Sequence, residues 1–151
     1  MWIIRHHGFY DGVVICDFSE SMEHKGYAAA DFVLMPSLYE PCGLPQMIGP
    51  IYGSLPVAHR TGGIRDTVQH LARDGRTGNG FLFEVCDAAG LHWATREAME
   101  FYRRPAAVKA ATIARIMRES AGRFNFHKTA RHYKELYETM LARPLLPMTE
   151  N

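Results

Sequence analysis

Long apolar runs are missing from this chain. No stretch approaches the roughly 18–20 residues that a membrane-spanning helix needs, so no membrane partner is expected. The opening residues, Met1 to Gly8, lack the apolar segment of a secretory signal. Neither sign of charge is in excess: 17 Lys+Arg stand against 16 Asp+Glu, a formal net charge of +1. That balance gives no electrostatic case for nucleic acid as a partner. Cysteine is scarce, with three residues (Cys16, Cys42 and Cys86) and no CxxC pair. An odd, unpaired set fits a reduced compartment, and a cytoplasmic location is expected. The eight histidines form no HExxH motif and none stands beside a regular cysteine pattern, so no metal and no cofactor are expected. There is no GxSxG elbow, and Cys42 has no base near it in sequence, which argues against a serine or cysteine nucleophile.

What is present is an ordinary globular composition, 47% apolar and 22% charged. It excludes a disordered tail or a low-complexity segment. Gly12-Val13-Val14-Ile15-Cys16 is a short continuous apolar run, the pattern of a strand covered on both faces. Ser19 stands where it would cap a helix running to about Ala30. Asp31 to Ser37 is a second strand-like run, stopped by Pro36. A helix is predicted from about Pro45, whose missing N–H costs little in a first turn, to Tyr52. Leu55 to Arg60 makes a third strand. It opens onto Thr61-Gly62-Gly63 and a helix carrying Ile64, Val68, Leu71 and Ala72 at helical spacing. Gly80 to Phe83 is a fourth strand. Asp87 then caps a helix ended by Pro105, a further helix covers about Ala106 to Ser120, and a last one starts near Asn125. Its stripe of Ala130, Tyr133, Leu136, Tyr137, Met140 and Leu141 is expected to be core. Alternating strands and helices with a helical tail predict an α/β fold, a Rossmann-like parallel sheet flanked by helices. No repeat or linker argues for a second domain, so residues 1–151 are expected to form one domain or part of one.

Ligands of such sheets bind beyond the carboxyl ends of the strands. In the loop Tyr39-Glu40-Pro41-Cys42-Gly43-Leu44, glycine lets a ligand approach the backbone, and the free N–H groups of the next helix attract an anion. Glu40 offers two acceptor oxygens that suit paired sugar hydroxyls, or else it is a solvated carboxylate in a proline-glycine turn. Thr61-Gly62-Gly63 is a second candidate anion nest on the same edge.

Several segments carry a family resemblance: Ala30 to Ser37, Tyr39-Glu40-Pro41-Cys42-Gly43-Leu44 with Gln46, Tyr52 to Val57, Arg60-Thr61-Gly62-Gly63-Ile64 and Asp66-Thr67-Val68. Together they resemble the C-terminal domain of bacterial glycogen synthases and plant starch synthases. Gly78 to Phe83 and the last aromatic helix fit the same pattern, which covers roughly residues 12 to 142. The resemblance implies a retaining glucosyltransferase of the two-Rossmann-domain (GT-B) type. It would move glucose from ADP-glucose or UDP-glucose to the non-reducing end of an α-1,4-glucan acceptor, without a metal. It assigns Glu40 to the hydroxyls of the donor glucose, and the backbone of Cys42, Gly43 and Leu44 to the sugar and diphosphate. It assigns Phe18 to stacking on the base. The turn Thr61, Gly62, Gly63 and the charge of Arg60 would lie at the same donor cleft.

Three departures stand out. Pro45 replaces a residue with an N–H, Ile48 occupies the place of a ribose-binding glutamate in related transferases, and Phe18 stands for tyrosine. The family's N-terminal domain, which holds the acceptor, has no counterpart here, nor does the cationic pair that neutralises the diphosphate. The chain is therefore expected to be a donor-binding fragment, inactive alone. The alternative is a non-catalytic nucleotide-binding or assembly module on the same fold.

Overall fold

The computed structural model describes residues 12, 13, 17, 19–143 and 145. Residues 14–16 of the expected first strand, Gly12 to Cys16, and the expected base platform, Phe18, lie outside the described residues. The other elements follow in the order helix α1 (Glu20–Ala29), strand β1 (Phe32–Met35), α2 (Pro45–Tyr52), β2 (Leu55–His59), α3 (Gly62–Thr67), β3 (Phe81–Phe83), α4 (Ala88–Tyr102), α5 (Ala106–Arg123) and α6 (Phe126–Leu141). The strands form one parallel sheet in the order β1-β2-β3. Its register runs from Phe32 opposite Leu55 to Met35 opposite Ala58, and from Val57 opposite Phe81 to His59 opposite Phe83. The α/β reading is the observed one. Among the described residues no helix is long and apolar enough to cross a membrane.

Side chains alternate across the sheet, and both faces are buried, as continuous apolar strands require. Leu55, Val57, Phe81 and Phe83 pack with Ala94, Ala98 and Phe101 of α4 and Ile116 of α5. Met35, Ala58 and Leu82 face the other way, onto Ile64 and Val68. Small residues at 94 and 98 let α4 lie close to the phenylalanines of β3. Burying a side chain such as Phe83 or Ile116 contributes about 1.5–3 kcal/mol. Asp87 and Asn125 cap their helices, accepting from Gly90 N at 2.7 Å and Lys128 N at 2.9 Å. Tyr27 anchors α1: it is that helix's buried residue and donates to Glu23. Burial, and then the neighbouring carboxylate, push its hydroxyl well above the ordinary tyrosine range.

Two expectations are corrected. The helix after Gly63 does not reach Ala72; it stops at Thr67, and Val68 is extended (φ −112°, ψ 132°). The loop that follows ends it. The Asn79 side chain accepts from Gln69 N at 2.7 Å and donates to Thr67 O at 3.1 Å, replacing the next helical bonds. His70 then pairs with Gly80 beside β3. Val68 and Leu71 are buried as their apolar character demands, but from extended chain.

The second correction concerns α6, which has no buried residue. Its expected core stripe is exposed, with Tyr133 55%, Leu136 52% and Met140 72% accessible. Apolar spacing on a helix reports that a face favours cover; it does not supply the cover.

These findings predict opposite responses to alanine. Asn79→Ala lowers the unfolding free energy by about 1–3 kcal/mol, because two backbone groups lose their partner. Leu136→Ala costs less than about 0.5 kcal/mol, as for other exposed positions. Urea denaturation midpoints check both; equal losses would show that α6 is packed.

Candidate functional site

At the carboxyl edge of the sheet two turns meet. The first is Glu40 to Leu44, between β1 and α2; the second is Thr61 to Gly63, between β2 and α3. They lie backbone on backbone. Gly63 N donates to Glu40 O at 2.9 Å. A Cβ at Gly62 would collide with Glu40 O, and one at Gly63 would meet Cys42 O and come within 2.8 Å of Cys42 Cα. Gly62 also has a φ of +44°, which disfavours any side chain. The glycine pair is thus required by the passage of the Glu40–Cys42 backbone. Its Gly63 N–H is already engaged by Glu40 O, so the second turn supports the first.

A buried side chain fastens the junction. Gln46, in the first turn of α2, is fully buried. Its Nε2 donates to Cys42 O at 2.6 Å and to Thr67 Oγ1 at 3.3 Å, and Thr67 Oγ1 donates to Gly63 O at 2.6 Å. The chain of bonds Cys42–Gln46–Thr67–Gly63 ties both turns to both helices. Gly43, at φ +73°, leaves the room that the Gln46 amide fills. Gln46 belongs to the motif quoted from the sequence, but its role was not legible there. A glutamine one residue inside a helix reads as a solvated side chain until the second turn is placed above it.

The predicted ligand-facing groups remain available. Glu40 is half-buried, and its carboxylate has no ion pair or hydrogen bond among the described residues. Backbone N–H groups of Gly43, Leu44 and Gln46 likewise have no partner there. Pro45 at N1 has no N–H, so the cradle at the start of α2 is interrupted at one position. Cys42 and Leu44 are exposed, as are Leu38 and Tyr39 (80% and 70% accessible). The loop thus surrounds its carboxylate with open apolar surface.

Arg60 is close by but does not act as a lone cation. It pairs with Glu84 at 2.8 Å, with both side chains about half exposed or more (47% and 68%). A pair so solvated contributes little to stability. His59, unremarked in the sequence, joins two of the edge loops. Its Nδ1 donates to Ser37 O at 2.7 Å, and its Nε2 lies 3.3 Å from Glu84 O. A polar residue ending an otherwise buried strand was the available signal.

The same edge carries a cleft of about 860 Å³ between α3 and the start of α4. It shares Arg60 with the predicted site and otherwise uses different residues, among them His70 and Trp93.

The fold is that of GT-B glycosyltransferases. The chain superposes on the catalytic domain of starch synthase IV from Arabidopsis thaliana, bound to ADP and acarbose. The TM-score is 0.77 at 32% identity, covering 94% of this chain and 29% of that one. A sucrose-phosphate synthase from Thermosynechococcus elongatus shares the fold, at TM-score 0.67 and 23% identity over 93% of this chain and 33% of that one. In sequence, the glycogen synthase of Geobacillus thermodenitrificans is 41% identical over 128 residues, 85% of this chain and 26% of that protein. The glycogen synthase of Cellvibrio japonicus is 40% identical over 129 residues, 84% of this chain and 26% of that protein. No protein-family model matches the chain. The chain belongs to the glycogen and starch synthase family. It spans about a quarter of the length of the curated relatives it matches (26%).

The glycine junction makes a direct prediction. Gly62→Ala destabilises the chain by about 2–5 kcal/mol, from steric overlap plus left-handed backbone strain. Gly26→Ala, in α1 with nothing within 4 Å of the added Cβ, stabilises it by about 0.5–1 kcal/mol. Thermal unfolding of the two variants separates a required glycine from a tolerated one.

Proposed function

We propose that this chain is the donor-binding segment of a glycogen or starch synthase. The complete enzyme transfers glucose, with retention, from ADP-glucose to the non-reducing end of an α-1,4-glucan in the cytoplasm. ADP-glucose is favoured over UDP-glucose because the Arabidopsis starch synthase that resembles this chain was solved with ADP. Residues 1–151 are then part of a single nucleotide-sugar-binding domain, and the acceptor is held largely by a domain beyond them.

The observation that carries this reading is the loop Glu40 to Leu44, braced from beneath while its ligand-facing groups have no partner among the described residues. Glu40 takes the hydroxyls of the donor glucose. The N–H groups of Gly43, Leu44 and Gln46 take the oxygens nearest the sugar. Phe18 stacks on the base. Thr61, Gly62 and Gly63 act by supporting the loop, and Arg60 adds a partly neutralised positive charge at its margin. Departure of the nucleoside diphosphate concentrates negative charge on its oxygens, so donors fixed beforehand stabilise that transition state without reorganising. The fixing comes from the Gln46–Thr67 chain of bonds.

A further consequence is that the segment alone makes little polymer. Glucosyl transfer also needs a positioned acceptor and a site closed to water.

Titration calorimetry with ADP and ADP-glucose tests the reading. Glu40→Ala leaves ADP binding within about threefold and lowers affinity for ADP-glucose about tenfold or more, as expected for loss of charge-assisted hydrogen bonds. Equal loss for both ligands makes Glu40 a structural residue of the turn. Absence of ADP binding to the unaltered chain overturns the donor-site assignment. Incorporation of labelled glucose into glycogen by this chain alone would contradict the division of roles.

A further inference from the structure

The ends of all three strands meet at one imidazole. His59 closes β2, a part-buried residue after four buried ones. Its Nδ1 lies 2.7 Å from Ser37 O, on the loop that leads from β1 to Glu40. Its Nε2 lies 3.3 Å from Glu84 O, on the loop that follows β3. The ring also packs against Phe83, with centroids 5.5 Å apart and an angle of 31°. Both ring nitrogens therefore face backbone carbonyl oxygens, and a carbonyl can only accept.

A neutral imidazole has one N–H and donates to one of these carbonyls; its other nitrogen then turns a lone pair towards an oxygen. The imidazolium has two N–H groups and donates to both. The shorter contact, to Ser37 O, holds the proton of the neutral ring, so the bond that comes and goes with protonation is the one to Glu84 O. Histidine is the side chain that changes charge between about pH 5 and 8. Four charged or titratable groups stand on the segments that meet the ring, besides Glu40 at the far end of the Ser37 loop. Arg60 follows His59 and is paired with the Glu84 carboxylate at 2.8 Å. Asp87 accepts from Gly90 N at 2.7 Å. Cys86 brings its Sγ to 3.8 Å from the same Ser37 O. Apart from that weak thiol donor, neither carbonyl has another hydrogen bond among the described residues.

We propose that His59 is a proton-controlled positioning residue. As the imidazolium it clamps the Ser37 loop to the loop after β3; on losing a proton it releases Glu84 O. The contribution of that bond is present when the ring is charged and is lost as pH rises. The clamp rests on the geometry of Ser37, His59 and Glu84 alone. Its use in setting the Glu40 carboxylate rests on the reading of the Glu40 loop as the donor site, because Ser37 is the root of that loop.

NMR of the unliganded chain between about pH 8 and about pH 5.5 tests the clamp with no nucleotide present. Expected on acidification are protons on both ring nitrogens of His59. The Glu84 carbonyl resonance and the Tyr39 and Glu40 amides should move with the same midpoint as the ring. His59→Arg, a cation with several donors at every pH, keeps the clamp closed, so those resonances stop following pH. His59→Gln loses stability at both ends of the range, but its unfolding constant rises about fivefold more at the acid end, where a bond from a charged donor is lost. If His59→Gln fails to fold, the unaltered chain and His59→Arg still decide. The proposal is overturned if the Glu84 carbonyl or the Tyr39 and Glu40 amides do not share the ring's midpoint, or if they still follow it in His59→Arg. An equal loss at both pH values in folded His59→Gln, the mark of a purely structural residue, overturns it as well. Failure of the chain to bind ADP bears on the donor-site assignment alone and leaves a titrating clamp standing.

Discussion

Backbone packed on backbone, Glu40–Cys42 against Gly62–Gly63, is the contact on which the site depends. Peptide groups approach this closely only where one partner lacks side chains, and the Gly63 N–H to Glu40 O bond then fixes their relative height. The consequence spreads outward. The loop after β1 cannot shift without moving the start of α3, and α3 is held by Ile64 in the core. The Gln46 amide, buried between the turns, turns a contact into a cross-braced unit. Its two Nε2 bonds set that geometry, while the buried Oε1 of the same amide has no partner among the described residues.

That rigidity gives the Glu40 turn its chemical use. A loop built of proline, glycine and exposed apolar side chains has little to hold it in one shape from within. Support from below leaves its upper surface without partners among the described residues: the carboxylate of Glu40 and the N–H groups where α2 begins. The division is between a turn that binds and a turn that braces. Both contain glycine, for different reasons: Gly43 for a left-handed φ and for the Gln46 amide beside it, Gly62 and Gly63 for the backbone that crosses them.

Much of this was legible in the sequence. Continuous apolar runs identified β1, β2 and β3, and Asp87 and Asn125 marked two helix starts at positions where they do cap. The segment around Glu40 and the segment around Gly62 were both recognisable as strand-to-helix turns. That they touch was not, because their contact is between backbones and no side-chain pattern records it. Helical spacing at Ile64, Val68 and Leu71 misled for a related reason. Those residues are buried, but a distant side chain, Asn79, ends the helix before Val68. The stripe on α6 was read correctly as apolar and wrongly as core, since burial belongs to the partner surface as much as to the helix. Trp93 and His70 gave no signal, lying 23 positions apart and meeting only across the edge of β3.

The central claim, a braced turn that presents Glu40 and the N–H groups of Gly43, Leu44 and Gln46 to a nucleotide sugar, is tested most directly by following backbone amides while ADP-glucose is added. The account predicts the largest chemical-shift changes at Gly43, Leu44 and Gln46. It also predicts that the Gly63 amide, bonded to Glu40 O, stays protected from hydrogen exchange with and without ligand. Changes centred on Arg65 to His70 with none at 43–46, or a Gly63 amide that exchanges freely in the unliganded chain, would contradict it.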